Sequence, residues 1–244
     1  MKKIEYEKMF FLEDSHFWFV GKRFFIKTYL ELIKNNFHDI LDIGSGTGGT
    51  TKFLEEYGKV TGIEKNNYAI SLAKKRGLKI IKGESEKLPF EKNSFDLATI
   101  FDALYHKDVK SVDQVIKEVS RVLRQGGYTL ITDSAFNFLK SSHSIDVYEQ
   151  RRFTVNEFKN ILVRNNFRVI ISSYIYISIF PLIFLKRVII NKIFKKSKPD
   201  VFKAPKIINS FLICLIKLES VLLRYFKYPI GSSLIILAKK NEEK

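Results

Sequence analysis

The chain has 244 residues, of which 45% are hydrophobic, and its formal net charge is +16. This apolar content is sufficient for a folded core and excludes a chain that is disordered throughout. The single cysteine excludes an intramolecular disulfide framework, and the four scattered histidines show no metal-ligand spacing.

The positive charge indicates an anionic partner, such as nucleic acid, an acidic lipid surface or a phosphorylated substrate. The alternative is a lysine-rich coding bias that only decorates the surface. The N-terminus lacks the apolar core of a signal peptide, and no apolar run reaches the roughly 18 residues of a spanning helix. We therefore expect a cytoplasmic protein.

The N-terminal residues 1–37 are predicted to be helical, because apolar side chains between Lys22 and Ile33 recur with a helical period. An aromatic cluster precedes this helix. In it, Phe17 and Phe19 are expected to pack against the sheet. His16, Trp18 and Arg23 are candidates for lining a cleft, with packing as the alternative.

Residues 39–49 combine an apolar run with a cluster of glycines, and a helix-like stretch follows. This predicts the strand, tight turn and helix start of a nucleotide-binding βαβ unit. Two patterns fit, and both contain Gly44, Ser45 and Gly46. With Gly49 the glycines match G-x-G-x-x-G of dinucleotide-binding proteins. With Gly48 they match G-x-G-x-G of S-adenosylmethionine (SAM) methyltransferases.

Two acidic residues narrow the choice of ligand. Asp42 ends the first predicted strand, where a carboxylate would repel a pyrophosphate and attract the ammonium group of SAM. Glu64 ends the second predicted strand, twenty positions after Gly44, at the spacing of an acid that accepts hydrogen bonds from ribose hydroxyls. Because SAM and NAD both contain this ribose, Glu64 predicts a nucleoside without naming it.

The stretch Gly83–Phe90 favours SAM, because it resembles the Gly-Asp-Ala-x-x-Leu-Pro-Phe motif of class I SAM-dependent methyltransferases. The resemblance implies that Glu84 and Ser85 hold the adenine amino group, with Glu84 in place of the usual Asp and Ser85 in place of Ala. It also implies that Phe101, Asp102 and His106 line the cleft beneath the methionine part of SAM.

The N-terminal aromatic cluster, followed by Gly21-Lys22-Arg23, resembles the His-Phe-Trp-Phe signature of one bacterial subgroup of this family. This second resemblance implies a helical cap over the cofactor mouth. The expected fold is α/β: a Rossmann-like, doubly wound, mostly parallel seven-stranded sheet with an antiparallel last strand. The predicted domains are the cap at 1–37, the SAM-binding core at 38–175, a helical insertion at 176–228, and the final strand and tail at 229–244.

The insertion between strands six and seven is basic. It contains eleven lysine and arginine residues against two acidic residues, which is +9 of the chain's +16. Two helices are predicted, Ile177–Phe194 and Ala204–Tyr225, separated by Lys195–Asp200. Their apolar residues spread more widely than one docking face requires. A membrane dock or lipid tunnel, a lid over the active site and a dimer interface remain open for this segment.

The predicted function is SAM-dependent methyl transfer to a small-molecule, glycan-type or lipid-linked acceptor, with the insertion peripheral at the inner face of the membrane. The alternatives are a nucleic-acid methyltransferase and a non-catalytic SAM-binding protein of the membrane surface. A hydroxyl acceptor would need a general base, for which His106, His143 and Tyr148 are candidates. For His106 the alternative is a role in orienting its loop.

Overall fold

The computed structural model describes residues 1–33, 37–190 and 204–242. Its sheet has seven strands in the order β3-β2-β1-β4-β5-β7-β6. Strand β7 is antiparallel to both of its neighbours, and the other pairs are parallel. This confirms the predicted sheet. The strands are β1 Asp39–Ile43, β2 Lys59–Glu64, β3 Ile80–Lys82, β4 Phe95–Phe101, β5 Leu123–Ser134, β6 Phe167–Ile175 and β7 Ser233–Lys240.

Helices surround the sheet, and several begin at a residue whose side chain accepts hydrogen bonds from backbone N–H groups. Asn66, Ser111 and Thr154 do so at the starts of α4, α5 and α7. Thr154 and Glu157 form a capping box at the start of α7. The helices are α1 Lys3–Leu12, α2 Phe17–Ile33, α3 Gly49–Leu54, α4 Asn67–Lys74, α5 Val112–Val122, α6 Ser142–Asp146, α7 Val155–Arg164, α8 Phe180–Phe184 and α9 Lys206–Leu222.

Both faces of the sheet are covered, so its central strands are buried throughout. Leu41 and Ile43 of β1 pack with α5 and α7 in one apolar layer. Ile40, which points to the opposite face, packs with α2 and α9 in the other layer. The second layer shows that the N-terminal helix and the insertion share one core with the sheet. The division of the chain into four domains stays a prediction.

The segment after β5 contains a short helix, and one predicted helix begins later than expected. The stretch Ser134–Gln150 contains α6 and a 3-10 turn at Asn137–Leu139. Ser141 and Ser144 form a capping box, which is why a short helix begins there. The first helix predicted for the insertion, Ile177–Phe194, begins only at Phe180, because the backbone N–H groups of Ile177 and Ser178 bind the Glu219 carboxylate.

The helix α8 continues into a π-helical turn, Leu185–Ile190. The last four residues of the predicted first helix lie outside the described residues, as does the segment Lys195–Asp200. The second predicted helix, Ala204–Tyr225, is confirmed as α9. Among the helices of the described residues, none has the length and apolar content needed to cross a bilayer.

Candidate active site

The glycine loop between β1 and α3 has a backbone that needs glycine at three positions. Gly44, Gly46 and Gly48 have φ angles of +75°, +55° and +87°. A Cβ at Gly44 would lie 2.6 Å from Ala103 Cβ, and one at Gly48 would lie 2.4 Å from Leu78 Cδ1. The loop therefore has the backbone of the G-x-G-x-G pattern, and Gly49 is the first residue of α3.

A cavity of about 640 Å³ lies at the carboxyl ends of β1, β2 and β4, bounded by α1 and α2. This is where parallel α/β sheets bind their ligands. Of the described residues that line it, eight are acidic and three are lysines. The cavity of a strongly basic chain is therefore acidic, which suits a cationic ligand. The acidic residues are Glu5, Glu13, Asp42, Glu64, Glu84, Glu86, Asp102 and Asp108.

Asp42 is buried at the end of β1. Its two carboxylate oxygens accept hydrogen bonds from hydroxyls, Thr51 Oγ1 at 2.6 Å and Thr99 Oγ1 at 2.8 Å. Burial raises the pKa of Asp42 to about 6, and the two hydrogen bonds act in the opposite direction. The carboxylate is thus ionised at neutral pH, and its hydrogen-bond donors are uncharged.

Glu64 is held in the same manner at the end of β2. Its Oε2 accepts a hydrogen bond from Gly46 N at 3.0 Å, and its Oε1 accepts one from Asn66 N at 2.8 Å. The carboxylate therefore connects the glycine loop to the start of α4. Both donors are neutral backbone groups, so the negative charge of Glu64 is retained in the cavity.

Glu84 and Ser85 line the cavity farther along, beyond β3. The Glu84 side chain is largely exposed, and its Oε1 lies 2.9 Å from Lys65 Nζ. The hydrogen bond from Lys65 lowers the pKa of Glu84. The Glu84 carboxylate, which is predicted to contact adenine, is therefore already paired with Lys65.

Asp102 follows β4 and forms an ion pair with Lys22 of α2. The Asp102 backbone has a φ of +52°, and its N–H donates to Thr132 O at 2.9 Å. Lys22 is buried and lines the cavity, whereas the other lining lysines, Lys8 and Lys65, are more exposed.

Lys22 was missed by the sequence reasoning, which favoured its neighbour Arg23. His16 and Arg23 are not among the described residues that line the cavity, and Phe19, expected only to pack, does line it. Lys22 lies four residues after Trp18 and three after Phe19, so its side chain is close to both on the surface of α2. The helical spacing from Trp18 could have added Lys22 to the candidates.

The helix α1 is fastened to the glycine loop through the residues that follow it. Glu13 accepts hydrogen bonds from Thr47 Oγ1 at 2.7 Å and Gly49 N at 3.1 Å. Arg76 donates to Phe10 O and Thr47 O, and it pairs with Asp14 at 2.9 Å. These contacts close one side of the cavity with α1.

Residues 41–131 match the family model described as "Methyltransferase domain". A dimycocerosate methyltransferase of Mycobacterium ulcerans is 33% identical over 117 residues, 45% of this chain and 41% of that protein. A fatty-acid O-methyltransferase of Mycolicibacterium smegmatis is 33% identical over 104 residues, 39% of this chain and 36% of that protein. The chain thus spans about two fifths of the length of these relatives.

Solved structures share the fold. A SAM-dependent methyltransferase of Thermotoga maritima has a TM-score of 0.58 at 19% identity, covering 97% of this chain and 95% of that one. A phosphoethanolamine N-methyltransferase of Haemonchus contortus in complex with SAM also has a TM-score of 0.58, at 18% identity, covering 88% and 52%. Residues 41–131 thus match a methyltransferase domain, and the chain has the fold of class I SAM-dependent methyltransferases. The cofactor of this family is SAM. The N-terminal signature lies outside the matched residues and stays a prediction.

The cavity of the methyltransferase domain contains most of the predicted cofactor-binding residues. Gly48 is not among the described lining residues, because it faces Leu78 and Ala73 behind the loop. The donor set fits SAM, which carries positive charge on its sulfonium and ammonium groups: Asp42 and Glu64 offer carboxylates bound by neutral donors. The predicted lining residues are Asp42, Gly44, Ser45, Gly46, Glu64, Glu84, Ser85, Phe101 and Asp102.

Two of the three candidate bases, His106 and His143, line the cavity of the methyltransferase domain. Burial lowers the pKa of His106, which favours the neutral imidazole. Tyr148 is not among the described lining residues; its ring packs 5.9 Å from that of His106. Tyr105 also lines the cavity, and burial raises the pKa of its hydroxyl well above the usual value.

Proposed function

We propose that the chain transfers a methyl group from SAM to a small-molecule, glycan-type or lipid-linked acceptor. The observation that supports this best is the acidic cavity beside the glycine loop. Within it, Asp42 and Glu64 present carboxylates at the ends of adjacent strands. A phosphate-rich dinucleotide would meet unfavourable charge there, whereas a sulfonium cofactor would meet favourable charge.

The proposed roles of the cofactor-binding residues follow their places around the cavity. Asp42 attracts the ammonium of the methionine part, and Glu64 accepts hydrogen bonds from the ribose hydroxyls. Glu84 and Ser85 contact the adenine, and Phe101 and Asp102 lie beneath the methionine part. When bound, SAM supplies an electrophilic methyl group. Holding donor and acceptor in line can contribute roughly 7–11 kcal/mol toward the barrier.

His106 or His143 would act as the general base that accepts the proton of an acceptor hydroxyl, since both line the cavity. Because burial lowers its pKa, the His106 imidazole is in the neutral form that can accept a proton at neutral pH. Tyr148, packed beside His106, would position that ring. The Tyr105 hydroxyl, which stays protonated, is suited to donate a hydrogen bond to the acceptor.

The acceptor class is supported by the cavity wall and by the relatives. Apolar side chains of Trp18, Phe19, Val109 and Val147 are also part of the lining. The names of the curated relatives include phthiotriol dimycocerosate, sterol and fatty-acid methyltransferases. A hydrophobic acceptor with one polar group fits such a wall.

The test is transfer of a radiolabelled methyl group from SAM to lipid, glycan and nucleic-acid fractions of whole cells. We expect label in the lipid or glycan fraction. His106→Gln should reduce the rate of methyl transfer about a hundredfold, because a general base contributes at least roughly this factor. The matched control is His38→Gln, because the His38 side chain is 82% exposed and is not among the described lining residues.

The charge of +16 favours one second candidate, methylation of nucleic acid. If the radiolabelled methyl group enters only the RNA or DNA fraction, the acceptor is a nucleic acid and the proposed acceptor class is wrong. Saturable binding of SAM with no label in any fraction would instead support the non-catalytic alternative.

A further inference from the structure

The helix α9 has two apolar faces, and the first is already occupied by α2. Ile216, Ser220 and Leu223 are buried on this side. The two helices approach closely, since a Cβ added at Gly21 would lie 2.7 Å from Ile216 Cγ2. Thr28 Oγ1 also donates to Ser220 O at 3.1 Å. This side of α9 is a completed contact between helices.

The opposite side of α9 is apolar and exposed. Ile207 is 87% exposed, Phe211 66%, Leu218 58% and Tyr225 76%. With Val221 and Leu222 they lie three, four or seven residues apart along the helix, so they form one stripe, here named the exposed apolar face. Isolated exposed apolar residues are ordinary, but a stripe along a helix of about 25 Å indicates a surface that contacts something.

The charged residues that α9 and the turn after it contribute beside this face are cationic. Lys206, Lys217 and Arg224 follow one edge, at spacings of eleven and seven residues that keep them on the same side of the helix. Arg224 is paired with Glu31 of α2. Between residues 204 and 228 the single acidic residue is Glu219. Glu219 is 4% exposed and binds the backbone of Ile177 and Ser178. The exposed surface of α9 thus combines apolar side chains with cations.

We propose that the exposed apolar face docks on an anionic phospholipid bilayer, with α9 lying in the plane of the membrane surface. Phe211 and Leu218 enter the boundary of the acyl chains, while Lys206 and Lys217 extend to the phosphates. A second copy of the chain is a poorer occupant, because its own α9 would bring no exposed acidic side chain to these cations. The bilayer complements both components of the surface.

The docked helix contacts α2, which forms part of the cavity wall. Phe17 N of α2 donates to Asn209 Oδ1 of α9 at 2.9 Å. Trp18 and Phe19 of the same helix line the cavity, so α2 separates the cavity from the membrane-facing helix. Docking would bring an acceptor of the lipid phase to the site. This last step rests on the proposed function, whereas the docking itself does not.

Co-sedimentation of the full chain with vesicles tests the proposal. We expect binding to phosphatidylcholine vesicles that contain about 30% phosphatidylglycerol, at least about tenfold weaker binding to pure phosphatidylcholine, and reversal by salt. The double variant Phe211→Glu/Leu218→Glu should lose at least about tenfold in affinity for the anionic vesicles. The matched control is Val163→Glu, since Val163 is 63% exposed on α7, and it should bind as the unchanged chain does.

Three results would overturn the proposal. These are equal binding by the double variant, a dimer in sedimentation velocity that the double variant abolishes, and displacement of the vesicles by RNA. Calorimetry with SAM on the same double variant distinguishes failure of membrane docking from failure of the proposed function. Unchanged affinity for SAM together with lost vesicle binding supports docking at a distinct surface, and failure of docking leaves SAM binding intact.

Discussion

The cavity and the cationic edge beside the exposed apolar face of α9 carry opposite charge in the same chain. The cavity is lined by eight acidic residues and three lysines, whereas α9 presents lysine and arginine and buries its one acidic side chain. The net charge of +16 therefore describes the surface and not the site. The proposed binding of a cationic cofactor and the proposed docking on an anionic bilayer use regions of opposite charge that α2 separates.

The two regions also differ in how their charges are satisfied. Asp42 and Glu64 are bound by hydroxyls and backbone N–H groups, which fix the carboxylates without neutralising them. Asp102, in contrast, is paired with Lys22. The carboxylates held by neutral donors are the ones we expect to contribute most to binding a cation.

The largest expected effect is on the affinity for SAM. Asp42→Asn keeps the shape of the side chain and removes the charge, and should weaken binding about a hundredfold, or ~3 kcal/mol. Calorimetric titration measures the change. The control is Asp108→Asn, which removes a lining carboxylate whose side chain is 47% exposed and should cost only a few-fold. Equal losses for the two variants would remove the special role of Asp42.

The second largest expected effect is a loss of stability when the attachment of α1 to the glycine loop is removed. Arg76→Ala removes the bonds to Phe10 O, Thr47 O and Glu13, and should lower the free energy of unfolding by about 2–3 kcal/mol. Urea denaturation measures this quantity, and amide exchange in α1 should accelerate. Arg164→Ala is the matched control: it loses only an exposed pair with Asp113, worth at most about 1 kcal/mol. If both variants lose equally, Arg76 does not secure the wall of the cavity.

The third effect is a pH dependence of the affinity for SAM. Because the pKa of Asp42 is raised to about 6, the affinity should fall about tenfold between pH 7 and pH 5 as the carboxylate becomes protonated. The ligand-free chain should respond in the opposite sense. The pKa of Asp42 in the folded state exceeds the usual 3.8, so the contribution of Asp42 to the free energy of unfolding is lost as pH rises from about 4 to 6. In Asp42→Asn, the SAM affinity and the free energy of unfolding should both depend less steeply on pH. A pH dependence as steep as in the unchanged chain would assign it to another group.

The smallest effect concerns single cations at the membrane surface. Lys217→Gln should weaken binding to anionic vesicles about fivefold, or ~1 kcal/mol, while the affinity for SAM stays the same. Lys117→Gln, an exposed site on α5, is the control and should leave vesicle binding unchanged. A loss that is equal at both positions would indicate attraction by total charge and not by α9.

The cavity and α9 were predictable from the sequence to different degrees. Asp42, the glycines and Glu64 could be predicted because each follows a strand of a βαβ unit, and the topology of that unit places strand ends together. Phe19 could not, because its place depends on how α2 packs over the sheet, whereas Lys22 could have been added from its helical spacing to Trp18. The two faces of α9 were visible only as an excess of apolar residues, since the sequence does not show which face α2 covers.

The most direct test of the account is calorimetric titration of the full chain with SAM and, in parallel, with NAD. The two cofactors share the ribose that Glu64 is expected to bind, and they differ in the charge that Asp42 would meet. The account predicts saturable binding of SAM and none of NAD. Binding of NAD, or the absence of saturable heat with SAM, would contradict it.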